Sequence, residues 1–425
     1  MFMTVRFSRR SFVASASIAT ALAASPRFAF AAATGEDARL DALFTRIFNG
    51  KALSAPMKVN LDVVRYQLER RLDGPRVGVD SPQSPYRITQ RSCAAFSVPD
   101  FLDSTHPMEN AEDAEAYLAR LAGLRTQIDN DITEQREQAS RGLLAPAWSL
   151  DLALMQLRKL RAPAPGESSM VQSIVRRTAK KGIAGNWQAR TEAIVRDAIY
   201  PAIDRQIALL EQLKPTSAAG DGAWRIPRGD EIYAAALMQA TTTNYTPDEV
   251  HKIGLEQVAE LTAQLDTVLK AAGYTKGTVG ERLAALNTLP EQLYAATPEG
   301  KAELIASLNA GVQKMNALLP KAFATLPEQP LDIRAVPVEI QDGAANGYYY
   351  SASLDGSRPA IYWINLKEVS DWPKYTLPSL TYHEGTPGHH LQISLAQKSE
   401  NIPLIRKTGG FSAYSEGWAL YSEQV

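Results

Sequence analysis

Apolar residues recur at intervals of three and four along most of this chain, the spacing that turns one helical face toward a core. Residues 38–48 carry Leu40, Leu43, Phe44 and Ile47 in this register, and 61–72 carry Val63, Val64 and Leu68. The stretch 74–107 is richer in Pro, Ser and Arg and predicts irregular structure, with His106 at a turn before Pro107 and in a structural role. The longest periodic run, 111–141, has Ala114, Tyr117, Leu118, Leu121, Leu124, Ile128 and Ile132 as its stripe. Residues 148–160 and 189–213 repeat the theme, and 230–238 adds another helix. Thr246-Pro247-Asp248-Glu249 is a strong helix start, because Thr caps, Pro fits the first turn and Glu closes a capping box. That helix is expected to reach about Ala272 before Gly273, with His251 exposed near its start. Residues 283–319 predict further helices, broken at Pro290, Pro298 and Pro320.

The period then changes. Residues 336–340 alternate like a strand, and 347–352 and 360–365 are aromatic and β-branched. Asp355-Gly356-Ser357-Arg358-Pro359 between the last two supplies turn chemistry. The pattern predicts a mainly α protein whose one small antiparallel sheet precedes the last helices. An edge strand there would be able to pair with an extended peptide.

Length and composition leave that picture intact. The chain has 425 residues, 45% hydrophobic and 21% charged, ordinary for a globular protein. A net charge of −1 removes any electrostatic case for nucleic acid. The one cysteine, Cys93, excludes an intrachain disulfide framework and a cysteine zinc site. Composition matters most at the N-terminus. Arg9-Arg10 precedes the Ala-rich apolar run 14–24, and small-residue cleavage sites follow at 29–33. This order resembles a twin-arginine export signal over 1–33, which predicts a periplasmic or otherwise exported domain over 34–425. The apolar run is too short to span a bilayer, so no stable membrane insertion is expected once it is removed.

Chemistry concentrates in 381–392. Three of the five histidines lie there, in Tyr382-His383-Glu384-Gly385-Thr386-Pro387-Gly388-His389-His390. Imidazoles bind zinc, and a carboxylate beside the first ligand is placed to act as base toward water. The spacing departs from H-E-x-x-H, whose histidines sit one turn apart. On an unbroken helix, at roughly 100° and 1.5 Å per residue, His389 would point about 120° away from His383. His390 would share the direction of His383 but lie about 10 Å along the axis. Zn–N bonds are only about 2 Å, so neither pair could share an ion. The helix must therefore break, and Gly385-Thr386-Pro387-Gly388 is suited to that, because Pro387 would clash with the His383 carbonyl. A looped turn would bring His389 or His390 back beside His383. Downstream, 411–423 reads as a buried helix with Glu416-Gly417-Trp418-Ala419 in an E-x-x-A-like setting for a third ligand. Glu423, two turns on, competes for that place.

These segments together resemble the bacterial family called domain of unknown function 885. The residues that carry the likeness are the histidine motif, Asp355-Gly356-Ser357-Arg358-Pro359, Glu416-Gly417-Trp418-Ala419-Leu420-Tyr421, and Thr241-Thr242-Thr243 ahead of the Thr246 cap. That family looks like a distant relative of the mostly helical zinc peptidases of the gluzincin type. The resemblance implies a zincin-like fold around one Zn2+. His383, one of His389 and His390, and Glu416 would be the ligands, and Glu384 the base. Gly388-His389 aligns best with the relatives' Gly-His, which favours His389. Members are usually longer at the C-terminus, so the resemblance also implies that the chain is truncated there.

The function expected is zinc-dependent hydrolysis of a peptide or small amide. A nearby tyrosine would donate to the oxyanion, Tyr349, Tyr350, Tyr382, Tyr414 and Tyr421 being the choices. Two rivals are a zinc hydrolase of non-peptide amides or esters, and an exported helical binding protein with a non-catalytic metal site.

Overall fold

The computed structural model describes residues 54–424 apart from 339 and 343. The expected export signal and the helix at 38–48 lie outside the described residues. The chain divides into two units, Met1–Leu61 and Asp62–Val425; the first helix, Ala55–Arg71, crosses the division, and everything after it belongs to the second.

The N-terminal half is a bundle. After α1 (Ala55–Arg71), which buries no residue, the bundle is built from α2 (Ala94–Ser104), α3 (Ala111–Ser140), α4 (Ala147–Arg161) and α5 (Ser169–Lys181). Asn110 starts α3 by accepting from the Asp113 N–H at 3.0 Å, and the predicted stripe from Ala114 to Ile132 is buried. The run read as 189–213 is one rod: α6 (Trp187–Ile194), a π turn at Val195–Ile199, and α7 (Tyr200–Leu213). Tyr117, Leu121, Ile128, Leu150, Ile174 and Ile203 form the shared core and are fully buried. Cys93 packs there too, and burial pushes its thiol far up, which makes it an inert small side chain. His106 is structural, as read: it is buried, its Nε2–H meets the Asp113 carbonyl at 2.8 Å and its Nδ1 accepts from Arg120.

Helices α8 (Gly229–Thr241), α9 (Pro247–Ala271), α10 (Val279–Asn287) and α11 (Pro298–Asn316) follow. The capping box at Thr246 and Glu249 forms as the sequence indicates. Of the apolar residues of α9 only Leu269 is buried, whereas Leu255, Val258, Leu261 and Val268 are exposed.

The sheet has three strands, β1 (Leu331–Ala335), β2 (Gly347–Tyr350) and β3 (Ala360–Ile364), in the order β1-β3-β2. It is mixed, not antiparallel: β2 runs antiparallel to β3, but β1 runs parallel to it. The first strand also lies five residues earlier than the alternation at 336–340 suggested. Val336 adds one ladder bond to the Ile364 carbonyl at 2.9 Å, and Pro337, with no N–H to give, ends the pairing. Every residue of β3 is buried, so its two faces look onto different layers. Tyr362 and Ile364 pack with Leu304 and Leu308 of α11, and Ile361 and Trp363 pack with Val336, Tyr348 and Tyr350.

Candidate metal centre

Helix α12 (Leu377–Glu384) packs in the first of these layers through Leu377 and ends at the expected place. The Gly385 N–H makes its last bond, to the Thr381 carbonyl at 2.9 Å. Residues 385–388 then turn, with a cis Thr386–Pro387 peptide, and α13 (His389–Lys398) starts afresh. The turn is tied from three sides. The Gly388 N–H returns to the Tyr382 carbonyl at 2.9 Å, Thr386 Oγ1 donates to Asn316 at 2.6 Å, and the Trp418 indole N–H donates to the Pro387 carbonyl at 2.8 Å.

Only glycine fits at 388, because a Cβ there would sit 2.0 Å from the His383 carbonyl oxygen. Gly388→Ala is expected to cost about 3 kcal/mol of stability, read by denaturant unfolding. A change within about 0.5 kcal/mol would show that the turn relaxes without harm.

The break brings the two ends together. The rings of His383 and His389 lie 4.7 Å apart, centroid to centroid, nearly perpendicular at 87°. Helix α14 (Ser412–Ser422) supplies the third group. Glu416 Oε2 lies 3.3 Å from His383 Nε2 and 3.5 Å from His389 Nε2. One ligand atom from each of His383, His389 and Glu416 can be chosen so that all lie within 4.8 Å of one another, a group that could hold a metal ion.

Glu423 does not join the cluster. Its Oε1 accepts from His383 Nδ1–H at 2.9 Å, and its other oxygen accepts from Ser379. That bond orients the ring with Nε2 toward Glu416, the arrangement of a carboxylate behind a metal-binding histidine. Burial lowers the His389 pKa, opposed by Glu416, which favours a neutral imidazole there.

His390 is corrected as a ligand. Its Nε2 meets the Gln329 carbonyl at 3.0 Å and its Nδ1 meets the Tyr349 hydroxyl at 3.1 Å, so both nitrogens are engaged by protein. Burial pushes it down to about 4, and it is a neutral structural residue. The reason is the new helix start: consecutive residues on α13 point about 100° apart, so only one of the pair can face His383.

Glu384 is 6% exposed, and its Oε2 has no hydrogen-bond partner among the described residues. Burial pushes its carboxyl up to about 7, against the pull of His383 and with help from Glu416. Two further expectations change. Helix α14 is not buried: Ala419 and Ser422 rest on the neighbouring helices, while Glu416, Tyr414, Leu420 and Tyr421 are exposed. Of the five tyrosines singled out, Tyr349 packs beside the histidines, its ring 6.2 Å from that of His389, but its hydroxyl is tied to His390. Sequence reasoning missed Asn316, Ser379 and Gln329, which hold the centre by single contacts from distant segments and carry no local signal. The role of Glu423 was half legible, since it shares a helix face with Glu416.

This is a mainly helical protein with a small mixed sheet, in which a broken helix and a following helix assemble a His-His-Glu cluster. The chain belongs to a family described as bacterial protein of unknown function (DUF885), which matches residues 23–425. It is also similar to the crystal structure of a candidate lipoprotein from Colwellia psychrerythraea, with a TM-score of 0.75 and 33% identity over 80% of this chain. The match covers 59% of that protein, so the chain spans well under two thirds of its solved relative's length. No curated protein matches the chain. Among the described residues no helix is long and apolar enough to cross a membrane.

Proposed function

We propose that the protein is a zinc-dependent peptide hydrolase with a zincin-like catalytic half, exported through the twin-arginine signal. The observation that carries this reading is the buried carboxyl of Glu384, one oxygen free, held directly beside a His383-His389-Glu416 cluster. The donor set fits zinc: two imidazole nitrogens and one carboxylate oxygen from three helices, with a second carboxylate behind the first histidine. Such a set leaves a fourth position open.

A zinc ion bound there would supply Lewis acidity, drawing the pKa of a water toward neutrality and polarising a carbonyl. The chain's own residues do the rest. Glu384 takes a proton from water and returns it to the departing amine. Burial keeps its free oxygen from being spent on solvent or on another side chain. Glu423 keeps His383 in one orientation. The gluzincin likeness and the donor chemistry favour zinc over harder ions. The family match and the signal-like N-terminus support an exported bacterial protein.

The test is metal analysis of the purified full chain together with turnover of a peptide library and of small acylated amides and esters. One zinc per chain with peptide cleavage is expected. Cleavage of the small acylated substrates alone would replace the peptidase by another zinc hydrolase, and a zinc-loaded chain with no turnover would leave only a binding protein. Glu423→Ala is expected to weaken zinc affinity by about 10–100-fold without changing the limiting stoichiometry. An unchanged affinity would remove Glu423 from the support of the site.

A further inference from the structure

The face of the sheet turned away from α12 borders a cavity. Side chains alternate along β2, so Tyr349 reaches His390 on the metal side while Tyr348 and Tyr350 pack with Trp363 on the other. The bundle closes over that second face. Lys159 of α4 donates to the Val338 carbonyl at 2.8 Å, and the Tyr350 hydroxyl donates to Asp100 of α2 at 3.2 Å. Between the layers lies a cavity of about 450 Å³. Small-molecule sites span roughly 300–1,000 Å³.

Its lining mixes apolar side chains with charged ones from both layers, Glu167 and Arg176 among them. Met170 and Trp363 are buried apolar surface, and Trp363 Nε1 has no hydrogen-bond partner among the described residues. Asp100 comes from the bundle and Arg334 from β1. Asp103 also borders the space, but Ser173 and Arg176 already engage it. Asp100 differs: it has the Tyr350 hydroxyl, but among the described residues no cation stands within ion-pair distance, and burial holds its carboxyl above the usual range. Arg334 gives Nη2 to Asp332 at 2.6 Å and, with five N–H donors, has others to offer while 39% exposed. A carboxylate short of a cation and a guanidinium with spare donors thus border one space together with apolar surface.

We propose that this cavity binds a small zwitterion, a free amino acid or dipeptide, with its ammonium at Asp100, its carboxylate at Arg334 and an apolar side chain against Met170 and Trp363. A charged pair of opposite sign at the two ends of one ligand satisfies both groups at once, and a guanidinium takes a carboxylate in two parallel bonds. The site is separate from the His-His-Glu cluster and requires no metal.

Isothermal titration of the full chain with alanyl-leucine tests it, with and without EDTA. N-acetyl-alanyl-leucine, which lacks the cation, and alanyl-leucinamide, which lacks the anion, are the companion ligands. One site, indifferent to chelator, is expected, and either blocked ligand should bind at least about tenfold more weakly. Asp100→Asn and Arg334→Gln should each weaken alanyl-leucine by a similar factor, and Ala335→Phe, at an exposed β1 position lining the cavity, should obstruct it. No heat, binding abolished by EDTA, or equal affinity for the blocked ligands would overturn the proposal. The blocked-ligand arms use the unaltered chain, so they decide the matter even if a variant fails to fold. Failure of the zinc reading would leave every one of these outcomes readable.

Discussion

Glu384→Gln is expected to lower peptide turnover about a thousandfold while one zinc per chain remains bound. The amide keeps the shape of the carboxylate but cannot take a proton, so kcat and kcat/KM should fall together, the signature of an interaction made only in the transition state. The three clustered donors are His383, His389 and Glu416, and none is altered. The fold should tolerate the change, because a buried carboxyl with a free oxygen is replaced by a neutral group of the same size. Turnover and metal content measured on one preparation check both halves. Unchanged turnover would remove Glu384 from the mechanism, and loss of zinc would make it a ligand instead.

The second large effect separates two adjacent residues. His389→Ala should weaken zinc binding at least about 100-fold, because it removes one of three donors. His390→Ala should keep the wild-type stoichiometry and affinity, yet cost about 2 kcal/mol of stability. The loss has a specific origin: the Gln329 carbonyl and the Tyr349 hydroxyl are both left facing a void in a buried place. Competition against a chromogenic chelator reads the first effect and thermal unfolding the second. If the pattern were reversed, His390 would be the ligand and His389 the packing residue.

How much of this could be read in advance varies with the reach of the interaction responsible. Helices such as 111–141 and the Thr246 start are set by neighbours within a turn or two, and they appear where the periodicity and the capping box place them. The broken helix at 385–388 was legible for the same reason: a proline and two glycines are local instructions, and no ion can be shared across an unbroken helix at that spacing. The sheet was less so. Alternation indicates extended backbone but carries no record of which strand lies beside which, and Pro337 moved the first strand upstream by withholding one N–H. Helix α14 was misread as buried because aromatic content was taken for a core face, whereas its buried contacts are Ala419 and Ser422.

By itself, then, the sequence determined the helical class, the caps, the break and the inventory of donors, all of which depend on residues close along the chain. Tertiary structure decided the choice between His389 and His390, the conversion of Glu423 from rival ligand to the support of His383, and the cavity behind the sheet. Each of those depends on where a side chain points once distant segments have packed, and direction in space is what a linear pattern does not encode.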